Sequence, residues 1–147
     1  MAKLVWPLLA RKRQADLDVV ERRMALLNER RRRCAEMLEA LLSYQSESDS
    51  SFAARHANRA LNPLVVAGSR SFYARVQKGV ADQRQELESL DRLLEQARQE
   101  ALGCLRDIKK YDKLVEIEQQ KIEKLELRRE AKLLDEFNCA AASRQED

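Results

Sequence analysis

Histidine occurs once in the 147 residues, at His56, and the cysteine nearest to it in sequence, Cys34, is 22 residues away. On one helix that is about 33 Å at ~1.5 Å per residue, so no Cys–His dyad can form. Glycine occurs three times and never in a cluster, which excludes a phosphate-cradling loop. Three cysteines are an odd number for a disulfide framework. Cys34 and Cys104 fall on apolar stripes, where a reduced thiol behaves as a small hydrophobe, and Cys139 is expected to be exposed. No apolar run approaches the roughly 18 residues that span a bilayer. The opening Met1–Arg13 stretch contains a short apolar segment, but Pro7 interrupts it and Arg11, Lys12 and Arg13 close it; it does not read as a signal peptide. A nucleophile, a base and a pocket cannot be assembled from these residues. The expectation is a cytosolic protein that is not an enzyme, with no catalytic residue, no cofactor, no metal and no membrane span.

What the chain does have is charge and period. Charged residues make up 36% of it and aromatics 5%. From Leu17 the apolar positions step by three and four through Val20, Met24, Leu27, Cys34, Leu38 and Leu41; after two polar seam positions they reach Phe52. A second stripe runs through Val76, Val80, Leu87, Leu90, Leu94, Ala97, Ala101, Cys104, Ile108, Tyr111, Val115, Ile122 and Leu125. Such steps average about 3.5 residues, the repeat of a left-handed coiled coil. Charged disordered chains lack a sustained stripe of this kind. Between the stripes lie Asn62, Pro63 and Gly68, which punctuate a turn. The predicted fold is all-α: a single domain over 1–147, a long antiparallel two-helix coiled-coil hairpin with a C-terminal helix overhang. Helix one covers about 8–58, the turn about 59–69 and helix two about 70–140. Ser69 or Ser71 is the expected N-cap of helix two. Five serines between Ser43 and Ser51 weaken helix propensity, yet no Gly or Pro intervenes and the helix is expected to continue through them.

Folding back at 59–69 places Leu8 near residues 117–122 and leaves roughly 25 residues of helix two beyond the pair, at a rise of ~1.5 Å each. The first seam ends there. A new stripe begins with Leu127, Ala131 and Leu134, flanked by Leu133 and Phe137, and an unpaired helix with fresh apolar positions calls for a partner.

The net charge of +3 is uneven. Residues 1–33 carry ten Lys/Arg against four Asp/Glu, while residues 126–147 carry four against six. The run Arg30–Arg33, with Arg22 and Arg23, raises nucleic acid as a partner. Four consecutive residues on a helix point in all directions, and Glu29, Glu36 and Glu39 lie within reach. A nucleic-acid footprint is a stripe of one sign, and this is not one. Arg31 falls on the seam, where its stem can pack and its charge can snorkel out.

Several segments resemble one family. Leu41-Leu42-Ser43-Tyr44-Gln45 near the end of helix one, Ser71-Phe72-Tyr73 followed by Ala81-Asp82-Gln83-Arg84 in helix two, and the run from Arg128 to Phe137 with its Leu134-Asp135-Glu136-Phe137 ending look like FliJ, the flagellar type III export stalk family. Length, turn position and overhang match as well, so the resemblance covers nearly the whole chain. It implies a non-enzymatic central stalk whose end carrying both chain termini enters the pore of a hexameric export ATPase. The turn end would contact the cytoplasmic domain of the export gate at the inner face of the cell membrane, and export chaperones would be further partners. On this chain the resemblance maps the gate contact to Leu41, Tyr44, Phe72 and Val76. It maps the ATPase contact to Arg11, Lys12, Arg13, Arg128, Arg129, Lys132 and Phe137. The chain departs from the family pattern at Ser48 and Gly79. The alternatives are the stalk counterpart of injectisome type III secretion and a generic structural coiled coil that dimerises through its overhang.

Overall fold

The computed structural model describes residues 5–56 and 63–146, and all of them are helical: α1 (Val5–His56) and α2 (Pro63–Glu146). The described residues fall into two compact units, Val19–Ala101 and Met1–Asp18 with Leu102–Asp147. In each unit α1 packs against α2.

In the Val19–Ala101 unit the partners run in opposite directions along the two helices. Arg23 meets Glu100, Arg31 meets Asp91, Cys34 meets Gln83 and Tyr44 meets Phe72. The pair is antiparallel, and the heptad stripe is its seam. Val20, Cys34, Val76, Val80, Leu90, Leu94 and Ala97 are buried. Leu90 and Leu94 keep only 2% of their surface and Ala97 none. Met24, Leu27, Leu38, Leu41 and Leu87 continue the stripe half-buried. Gln45 and Ser48, the two polar seam positions, are half-buried as well. α1 runs unbroken through the serine-rich stretch, because stripe packing outweighs a propensity deficit of a few tenths of a kcal/mol per serine, about the usual scale.

The break differs from the expected turn. α2 begins at Pro63 rather than near residue 70. Proline fits the first helical position, where its missing N–H has no partner to lose and its fixed φ is already helical. Ser69 and Ser71 therefore lie inside the helix and are not its caps. Gly68 is likewise helical, with open space around it. Residues 57–62, which include the start of the expected turn at about 59–69, and the side chain of His56 lie outside the described residues.

In the unit formed by Met1–Asp18 and Leu102–Asp147, Leu17 and Cys104 are buried. Trp6 stacks on Tyr111 with ring centroids 6.1 Å apart and planes 22° from parallel, and its indole N–H donates to Glu118 Oε1 at 2.8 Å. Arg13 forms an ion pair with Asp107 at 2.7 Å. These contacts set a register in which Leu8 lies opposite residues around 111, earlier than the expected 117–122. Ile122 is half-buried and Leu125 is exposed, so the first seam stops before Leu125. From Glu123 to Gln145 every residue is exposed.

The glycines separate cleanly by surroundings. A Cβ at Gly79 would lie 3.3 Å from Cδ1 of Leu41, whereas Gly103 has nothing within 4 Å. Alanine gains up to about 1 kcal/mol over glycine inside a helix. Gly103→Ala is expected to raise the free energy of unfolding by about that amount. Gly79→Ala should gain distinctly less, because Leu41 must give way. Urea melts of both variants check this; an equal gain at the two sites would contradict the close packing at Gly79.

Candidate functional site

Two surfaces stand out, one in each unit. The first lies toward the α1–α2 connection in the Val19–Ala101 unit. Tyr44 and Phe72 meet edge to face with centroids 5.7 Å apart and planes at 66°. Both remain substantially exposed, so the pair is a packed aromatic patch with one side to solvent. Leu41 is half-buried beside Gly79, and Val76 is buried in the seam. Of the four residues mapped to the gate, Tyr44 and Phe72 thus offer surface, while Leu41 and Val76 support it.

Next to the patch is a groove of about 460 Å³ whose walls include Ser48, Phe52, Val66, Phe72, Tyr73 and Val76. Asp49 and Arg70 add charge of both signs to the rim. The small side chain of Ser48, one of the two departures from the family pattern, leaves this space open. Sequence reading places about 59–69 in the turn and so misses the groove. Val66, Ser69, Tyr73 and Val76 step by three, four and three, and that continuation of the stripe upstream of Phe72 is the signal that helix begins at Pro63.

The second surface is the unpaired stretch of α2. Arg128, Arg129, Lys132 and Phe137 are all exposed there, Phe137 at 72%. Leu127, Leu133 and Leu134 form an apolar face around it. Arg11 and Lys12 on α1 are exposed too. Arg13 is engaged: it bonds to Asp107 and, at 3.4 Å, to Asp16, and the carboxylate of Asp107 holds its guanidinium still more firmly protonated than usual.

The arginine run is similarly committed. Arg23 pairs with Glu100 at 2.6 Å, Arg30 with Glu86 at 3.7 Å and Arg31 with Asp91 at 2.5 Å, while Arg32 and Arg33 share Glu29. Arg32 also reaches Glu36 at 2.6 Å. The hydrogen bond from Arg32 is the largest of the effects that hold the Glu29 carboxyl below the usual carboxylate range. These charges serve α1 itself and its contact with α2. They do not form a single-signed stripe.

Cys34 is buried, and its Sγ donates to Gln83 Oε1 at 3.0 Å. Burial, with the nearby Glu86 carboxylate, pushes its thiol pKa up, the opposite of what a nucleophile needs. Among the described residues no group of His, Cys, Asp and Glu side chains is arranged to hold a metal ion, and no helix is long and apolar enough to cross a membrane.

Two heptad helices that bury their seam and present an aromatic patch on one unit and a bare apolar helix on the other define a coiled-coil interaction protein. The family model for the flagellar FliJ protein matches residues 7–147, and the chain belongs to that family. It is therefore a component of the flagellar protein export apparatus, in a family of structural export components. No curated protein and no solved structure matches the chain.

Proposed function

We propose that this protein is the central stalk of the hexameric flagellar export ATPase, acting in the cytoplasm at the inner face of the membrane. The ATPase contact is carried by the unpaired part of α2, through Arg128, Arg129, Lys132 and Phe137, and by Arg11 and Lys12 on the basic start of α1. Arg13 contributes by holding α1 to α2. The cytoplasmic domain of the export gate is met by Tyr44 and Phe72, supported by Leu41 and Val76, and export chaperones are further partners. The observation that carries this reading is the exposed helix after Glu123. Its apolar side chains have no α1 opposite them, and its cations can complement a pore lined with acidic groups. The match to the flagellar family favours this system over the injectisome counterpart.

Hydrolysis of ATP by the partner ATPase, measured with and without the protein, tests the proposal. Stimulated hydrolysis and ring formation that disappear when the chain is cut after Leu125 are the expected result. If the folded full-length protein leaves hydrolysis unchanged, the stalk assignment falls and the generic structural coiled coil replaces it.

A further inference from the structure

The exposed part of α2 carries a second heptad pattern with its own charge code. Leu127, Leu134 and Ala141 occupy one core position; Lys124, Ala131 and Asn138 occupy the other. The positions flanking this stripe hold Arg128 and Asp135 on one side, and Glu123, Glu130, Phe137 and Arg144 on the other. Leu127 and Leu134 are 64% and 63% exposed, and among the described residues no ion pair or hydrogen bond engages the flanking charges. In coiled coils the flanking charges select the partner and its direction.

Two helices of this sequence could pair in either direction, and the charges discriminate. In a parallel pair Lys124 faces Lys124 in the core and Glu130 of each chain faces Asp135 of the other, with Glu123 and Arg128 the one attraction between flanking charges. Like charges in these places are unfavourable. In an antiparallel pair with Leu134 opposite Ala131 of the second copy, the large side chain meets the small one, and does so twice by symmetry. Arg128 then faces Asp135 of the second copy and Glu123 faces Arg144, again each twice. Lys124 lies opposite Ala141, Leu127 opposite Asn138, and no like charges meet. A self-complementary patch of this kind is what a two-fold dimer requires.

We infer that two copies of this protein associate through an antiparallel coiled coil of α2 residues 123–144. The contact is about three heptads long, which makes it weak and releasable. It covers Arg128 and Phe137, so a chain paired in this way cannot offer them to another partner. The inference stands on the charge pattern and does not depend on the stalk assignment.

Sedimentation equilibrium of the full chain, over loadings from about 1 to 300 μM, tests it. A monomer–dimer equilibrium is expected. Arg128→Asp and Asp135→Arg, both at exposed positions, should each raise the dimer Kd about tenfold, because each turns two symmetric attractions into repulsions. The combination R128D with D135R should return the Kd to within about threefold of the original. Circular dichroism verifies that every variant remains helical. A chain that stays monomeric throughout, a dimer indifferent to either single reversal, or a double variant no better than the singles would each overturn the antiparallel pairing.

Discussion

Leu94→Ala is expected to lower the free energy of unfolding by about 3 kcal/mol, and Leu93→Ala, one residue earlier on the same helix, by less than about 1 kcal/mol. Leu94 keeps 2% of its surface against α1, whereas Leu93 keeps 46%. Leu90→Ala should behave like Leu94→Ala. Truncation at a seam position removes transfer free energy and leaves a cavity. Between two helices there is no third layer to move into that space. Neighbouring Leu102 and Leu105 are also largely exposed, so apolar character alone does not mark the seam. Denaturant melts followed by circular dichroism separate the two outcomes. Similar costs at Leu93 and Leu94 would mean that α2 presents a different face to α1.

The second large effect is expected at Trp6. Trp6→Ala removes both the stack on Tyr111 and the hydrogen bond to Glu118, for a combined loss of about 2 kcal/mol local to the Met1–Asp18 and Leu102–Asp147 unit. Amide exchange should quicken along residues 5–13 and 107–118, while residues 76–97 keep their protection. Trp6→Phe retains a ring over Tyr111 and loses only the donor, so it should show about half the effect or less. Trp6 is the only tryptophan, so fluorescence of the unaltered chain reports the same docking directly. Faster exchange spread evenly over the whole chain would instead make Trp6 part of one cooperative unit.

The aromatic patch and the unpaired stretch of α2 were legible to different degrees. Tyr44 and Phe72 could be placed near the connection from sequence, and they do face one another. Whether each points outward could not be read, since both lie at the margin of a 3.5-residue stripe. The groove beside them was hidden because Pro63 and Gly68 are strong turn signals. The same proline is also a good first residue of a helix, and that is the role it takes at the start of α2. Exposure of the stretch after Glu123 was legible, because the first seam ends and a differently phased stripe begins there.

Sequence by itself determined that this protein consists of two long helices, most of the residues that form the seam, that the chain turns back between the two stripes, and that α2 outlasts α1. Each of these follows from period and punctuation, which are local. Register was decided only by the tertiary structure. A heptad repeat slid by one unit buries nearly the same set of apolar groups, so the stripes alone leave several alignments close in energy. Specific pairs remove that degeneracy: Arg13 with Asp107, Arg31 with Asp91, Cys34 with Gln83, Leu41 against Gly79 and Trp6 over Tyr111. Each is satisfied in one alignment and broken by a shift of a heptad, and together they set where α1 ends along α2 and how much of α2 is left bare.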